Sequence, residues 1–253
     1  MSKKIKQTSK NKRFYRMQAT TKNTAEIYIY DQVVTAGWEW GAEQSAVTFQ
    51  EDLARLGDEV ETIHLHINSP GGAVFEGITI ANLLKAHDAK VIAYIDGLAA
   101  SIASVIAVCA DEVIMGEGTF FMIHHPWLFT WGDANALRKD ADMLDKVSSQ
   151  MQALYLAKTG EKCSSERLVE MLDEETWLTA TEALELGFVD SIVETSQVAA
   201  SVNDIAFARF KNIPEALKQS GEPKAEPLQP KATPADSSKN LLKAKIKIMK
   251  EGT

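Results

Sequence analysis

The segment Asp96-Gly97-Leu98-Ala99-Ala100-Ser101-Ile102-Ala103-Ser104 sets a serine at the start of an apolar helix, directly after a strand. The glycine and alanines on its approach let a substrate backbone reach the hydroxyl. The first N–H groups of a helix lack partners within it and carry partial positive charge, so an oxyanion formed beside Ser101 meets backbone donors. Taken alone, a serine there reads as an N-cap; as a nucleophile it needs a base to take its proton. Met122-Ile123-His124-His125-Pro126 supplies one, because the apolar run from Phe120 reads as a buried strand that Pro126 ends. Neighbours on a strand face opposite ways, so only one of His124 and His125 can meet Ser101. Upstream, the alternating strand Ile63-His64-Leu65-His66-Ile67 runs into Asn68-Ser69-Pro70-Gly71-Gly72, a turn whose glycines can take positive φ and present an N–H to a bound carbonyl. Oxyanion donor, nucleophile and general base are the parts that acyl transfer needs.

These motifs, together with Trp177-Leu178-Thr179-Ala180, Glu182-Ala183 and Gly187-Phe188-Val189-Asp190, resemble the proteolytic subunit of the Clp protease, ClpP, in order and near spacing over roughly residues 24 to 195. The resemblance implies a serine endopeptidase with Ser101 as nucleophile and His124 as base, and with the amides of Gly72 and Ile102 as oxyanion donors. Where the family usually carries aspartate, two residues before the aromatic, this chain has Glu175, with Asp173 as the alternative acid. A glutamate can also orient an imidazole. The wording of Glu175-Thr176-Trp177 and of Arg138 to Lys146 resembles the branch encoded by tailed phages and prophages, which implies cleavage of scaffold or capsid protein during head maturation. The alternatives are a housekeeping-type subunit working with an ATP-dependent unfoldase, and a non-catalytic assembly ring.

Strand candidates are Glu26 to Tyr30, Ile63 to Ile67, Val91 to Ile95, Glu112 to Met115, Phe120 to Ile123 and Phe188 to Val193. Between them, Ala46, Phe49, Leu53 and Leu56 share a helical face, as do Val74, Ile78 and Ala81. The expected architecture is therefore α/β with repeated strand-helix units, and the resemblance implies the ClpP/crotonase-like fold. A long helix is predicted from Asp133 to Lys158, with Gly160 after its end. In ClpP-like proteins its counterpart projects as a handle between stacked rings, which implies a homo-oligomer. Thr179 and Glu182 form a capping-box pattern. Ser104 is expected to bond back into its own helix. His64 and His66 share a strand face with no third ligand close by, and read as strand histidines at a subunit contact.

The chain has 253 residues, of which 45% are hydrophobic, enough for one sizeable core with appended ends. Residues 1–22 carry eight Lys or Arg and no acid, whereas the formal net charge is −8, so a basic arm precedes an acidic body. The expected division is a flexible arm over 1–22, a protease domain over 23–213, and a linker with a basic tail over 214–253. Such arms read as solvated tails, and nucleic acid is not an expected partner. Two cysteines give neither a disulfide framework nor metal spacing, the lysine-rich N-terminus lacks the apolar run of a signal peptide, and the longest apolar run, Leu98 to Ala110, is too short to span a membrane. A soluble cytoplasmic protein without metal or organic cofactor is expected. The chain has no Gly-rich phosphate loop with lysine, so ATP-driven unfolding would need a partner. A crotonase-type acyl-CoA enzyme would not need this serine and histidine, and a serine-lysine peptidase would need a lysine within these motifs.

Overall fold

The alternation in the β-rich segments builds a sheet with one dry face. The computed structural model describes residues 14–35, 45–194, 210–214 and 217, which belong to one unit spanning Met1–Gly221. In chain order its elements are β1 (Tyr15–Ala19), β2 (Thr24–Ile29), α1 (Ala46–Ala54), β3 (Thr62–Ser69), α2 (Val74–Lys85), β4 (Lys90–Ala100), α3 (Ile102–Val108), β5 (Glu112–Gly116), β6 (Phe120–Ile123), α4 (Ala134–Thr159), α5 (Ser165–Asp173), β7 (Thr176–Thr179), α6 (Ala180–Glu185) and β8 (Ser191–Val193). The main sheet runs β1-β2-β3-β4-β5-β8, parallel from β2 onward with β1 antiparallel on its edge. Ile63, Leu65 and Ile67 of β3 are fully buried with Ile27, Ile29, Ala93 and Ile95 of its neighbours, and helices cover that face.

The opposite face is aromatic and polar. His66 stacks between Tyr28 and Tyr94 with ring centroids 4.7 and 5.0 Å away. Its Nδ1 lies 2.8 Å from Asp96, which also accepts the Tyr30 hydroxyl at 2.6 Å.

Strand β4 divides the sheet and so makes the site. Its first half pairs with β5 and its end, Leu98–Ala100, pairs with Phe120–Met122 of β6, which in turn pairs with β7. A register shift against β3 between Ile67 and Ser69 accompanies the division. Three chain segments thereby end side by side: β3 at the glycine turn, β4 at Ser101, and β6 at His124. This follows the rule that open α/β sheets place their sites beyond the carboxyl ends of the strands.

Helix α4 is capped by Asp133, whose carboxylate accepts the N–H groups of Asn135 and Ala136 at 2.9 Å. Only its second half is buried, through Ser148, Met151, Tyr155 and Thr159, while Leu137 and Met143 in the first half are exposed. The Tyr155 hydroxyl lies 2.7 Å from Ser104 Oγ, which donates to the Ser101 carbonyl at 2.6 Å, so the helix is tied to the backbone of the nucleophile candidate. Ser104 bonds back into its own helix, as the sequence suggests.

Several expectations change. Tyr15–Ala19, assigned by charge to a flexible arm, forms β1: Tyr15 is buried against Phe49 and its hydroxyl reaches Thr48 and Asp52. Strand β7 has no counterpart among the strand candidates, because Thr176–Thr179 has no long alternation and gains its partner only from the return past β6. The buried stripe of α2 is Gly77, Ile80, Ala81 and Leu84, leaving Val74 and Ile78 at its margin. Phe188 and Val189 are core residues before β8 rather than its first members. Leu217 is also buried, past the boundary drawn at 213. The linker and tail beyond Gly221, and residues 1–13, lie outside the described residues.

Candidate active site

Ser101 connects β4 to α3 with φ 56° and ψ −130°, a backbone conformation that L-residues rarely adopt. Such strain costs about 1–3 kcal/mol and persists only where the surroundings enforce it. Here the Ser101 N–H donates to the Met122 carbonyl at 3.0 Å, and Ser104 holds its carbonyl. The sharp turn leaves the Oγ exposed above the strand ends. His124 Nε2 lies 2.7 Å from that Oγ, within the range for proton transfer.

The glycine turn closes against both. Val33 pairs with Gly72 as an isolated parallel bridge, in which the Val33 N–H donates to the Gly71 carbonyl and the Ala73 N–H to the Val33 carbonyl, both at 2.8 Å. That pattern leaves the Gly72 N–H on the side away from Val33. Gly71 has φ +84°, and a Cβ there would lie 2.7 Å from the Ser101 Cβ and 3.0 Å from the Ile102 N. Gly71 therefore stands close against the start of α3, and Gly72 lines the same cavity as Ser101. Gly71→Ala is expected to lower stability by about 1–3 kcal/mol through its positive φ, and to lower turnover as well by moving the turn. Thermal unfolding and a peptide assay on the same sample check this.

A cavity of about 440 Å³ opens beside these groups, lined by Ser101, His124, Gly71, Gly72 and the exposed edge of α4 at Met143, Leu144 and Val147. Its largely apolar wall fits a peptide side chain next to the hydroxyl.

The two acids take different histidines. Asp173, the alternative acid, lies 3.0 Å from His125 Nε2, and His125 Nδ1 lies 2.6 Å from Ser148 Oγ on α4. It does not reach His124, because His125 points away from Ser101 and takes Asp173 with it. His125 thus links the end of β6 to α4 and to Asp173. Glu175 has φ 54° and only 8% exposure, and borders the same recess as His124. It makes no hydrogen bond to His124; its charge acts on the imidazole through space. Its Oε1 accepts the N–H groups of Lys211 at 2.6 Å and Asn212 at 2.9 Å. Sequence reasoning missed these two partners, since nothing in the composition of 210–214 marks it as returning to the site.

Burial pushes the His124 pKa below its ordinary value of 6.5, the Glu175 charge partly restores it, and His125 lowers it again. A general base works while neutral, so activity is lost as pH falls through this pKa. The acid limb of kcat/KM is therefore expected below the ordinary histidine range. Because Glu175 raises the value, Glu175→Gln should move the limb to still lower pH, which a pH–rate profile measures.

Among the described residues, no group of three or more His, Cys, Asp or Glu side chains is placed to hold a metal ion, and no helix is long and apolar enough to cross a membrane. What the site can do is attack a carbonyl with an activated hydroxyl, beside backbone N–H groups suited to an oxyanion.

Residues 9–196 match the family described as Clp protease. The chain is 33% identical over 144 residues to the ATP-dependent Clp protease proteolytic subunit 1 of Protochlamydia amoebophila, covering 55% of this chain and 69% of that protein. It is 32% identical over 146 residues to the ATP-dependent Clp protease proteolytic subunit 3 of Rhodococcus jostii, covering 56% and 71%. Among solved structures it is similar to a ClpP1 point mutant from Listeria monocytogenes, with a TM-score of 0.57 and 25% identity over 68% of this chain and 92% of that one.

Proposed function

Since this chain belongs to the Clp protease family and is a serine-type peptidase, we propose that Ser101, His124 and Glu175 are its catalytic triad and that the Gly72 and Ile102 amides form its oxyanion hole. The observation that carries this is the 2.7 Å contact of His124 Nε2 with an Oγ raised on a strained elbow. His124 takes the Ser101 proton as Oγ attacks the scissile carbonyl. The tetrahedral oxyanion is held by two backbone N–H groups. His124⁺ then gives its proton to the leaving amine as the C–N bond breaks. Water, deprotonated by the same imidazole, hydrolyses the acyl-enzyme and frees Ser101. Glu175 stabilises the imidazolium by its charge. Turnover of a fluorogenic peptide, lost in Ser101→Ala, tests the assignment; equal turnover in that variant would refute it.

The working form is a homo-oligomeric ring or pair of rings. Two features support this. Among the described residues, no layer covers the polar face of the main sheet, although parallel sheets are ordinarily covered on both sides. Ahead of α4, Trp127, Phe129 and Trp131 are 53%, 85% and 81% exposed, an apolar cluster that a second copy would bury. The unpaired thiols of Cys109 and Cys163 fit a reducing cytoplasm.

The substrate is polypeptide. The finer role we favour is maturation of an assembling phage head, by cleavage of scaffold or capsid protein, supported by the wording of Glu175-Thr176-Trp177 and of Arg138 to Lys146. The second reading, a subunit fed by an ATP-dependent unfoldase, is supported by the relatives, which carry "ATP-dependent" in their names. Co-expression with candidate substrates and mass spectrometry of the products separates the two: cleavage at discrete sites without any ATPase supports the first, and cleavage only with one supports the second.

A further inference from the structure

Past the end of the family match at residue 196, a short segment returns to the triad. The Phe210 ring stands edge-on to His124 at 5.7 Å and to Trp177 at 5.6 Å. The next two N–H groups, of Lys211 and Asn212, both donate to Glu175 Oε1, and the Asn212 side chain donates to the Glu174 carbonyl at 2.6 Å. Leu217 anchors the segment in a small apolar cluster with Leu98, Ala100 and Met122, on the two strands that carry Ser101 and His124.

A carboxylate as buried as Glu175 needs donors, because an ionised group out of water is costly unless it is hydrogen-bonded. Two N–H groups on one oxygen supply them and also fix where the charge sits. Among the described contacts its other oxygen has no partner. Phe210 meanwhile keeps water from one edge of the imidazole, and charge interactions strengthen as water is excluded. The segment does not block the site: Phe210 forms part of the cavity wall, the cavity remains open, and the His124 contact with Ser101 is intact.

We propose that residues 210–212 are positioning residues of the active site: the main-chain N–H groups of Lys211 and Asn212 hold the Glu175 carboxylate beside His124, and the Phe210 ring packs on the imidazole. This rests on the triad reading above. It makes a segment beyond the matched family region part of the catalytic apparatus, acting through Glu175 and making no contact with substrate through those amides.

The test uses the full chain and peptide kinetics. Lys211→Pro removes one donating N–H, Leu217→Asp dislodges the anchor, and Lys211→Ala keeps the N–H while removing the side chain. Misplacement of a catalytic group by about 1 Å costs about 100-fold, so Lys211→Pro and Leu217→Asp are expected to lower kcat about 10- to 100-fold, with KM changed by less than about twofold. Lys211→Ala, which keeps the donor, should lower kcat less than Lys211→Pro does, and equal losses in the two would overturn the proposal. In a Glu175→Ala background, Lys211→Pro should have no further effect, because contacts in one network are not additive. Unchanged or faster turnover in Lys211→Pro would overturn the proposal, the faster case marking the segment as inhibitory. So would an equal further loss in the Glu175→Ala background, which marks a merely structural role. Wild-type turnover that survives Ser101→Ala would instead bring down the triad reading itself.

Discussion

His124→Ala is expected to lower kcat about 10⁴- to 10⁶-fold, the range seen when one member of a serine triad is removed. The imidazole at 2.7 Å from Ser101 Oγ is the group placed to take its proton, and an unassisted serine hydroxyl is a weak nucleophile. Combining Ser101→Ala with His124→Ala should cost little more than either change alone, because both remove the same step. His125→Ala offers the contrast. It leaves the Ser101 contact in place and loosens the link to Ser148 and Asp173, so a loss smaller than that of His124→Ala is expected. Fold is checked by thermal unfolding, since one replacement removes a buried ring and the other a partly exposed one, each with its hydrogen bonds. Comparable losses in the two histidine variants would contradict the assignment of the base.

Glu175→Ala is expected to lower kcat about 100- to 10,000-fold, at or below the cost of removing the orienting acid in other serine triads. Asp173→Ala should cost less than about tenfold. The difference follows from placement. Glu175 is buried and its charge acts on His124, whereas Asp173 is mostly exposed and pairs with His125. An exposed pair of that kind contributes at most about 1 kcal/mol. Measured on one peptide at one pH above the acid limb, equal losses would refute the choice of Glu175.

The serine, its histidine and the glycine turn are legible in the sequence because each is a local pattern. Small residues crowd one hydroxyl, an apolar strand stops at Pro126, and an alternating strand runs into two glycines. The division of β4, which brings these ends together, is not local. The sequence ends that strand at Ile95, since Gly97, Ala99 and Ala100 are poor strand formers that become strand only by pairing with β6. The resemblance favours Glu175 over Asp173 by its place before Trp177, but the positive φ at Glu175 and the different partners of the two acids are set by tertiary structure. Charge misled at the N-terminus, where Tyr15 outweighs the lysines around it by filling the gap against Phe49. Phe210 and Leu217 fall on either side of the domain boundary drawn at 213, because their ring and apolar contacts, like the main-chain bonds of Lys211 and Asn212, are long-range and leave no periodicity to read.

The central claim, that Ser101 is an activated nucleophile, is tested most directly by reacting the assembled protein with a serine-directed phosphonate and locating the adduct by mass spectrometry. The account predicts a single adduct on the peptide containing Ser101, formed above the acid limb of His124 and absent in both Ser101→Ala and His124→Ala. No adduct in assembled wild-type protein, or an adduct that persists in Ser101→Ala, would contradict it.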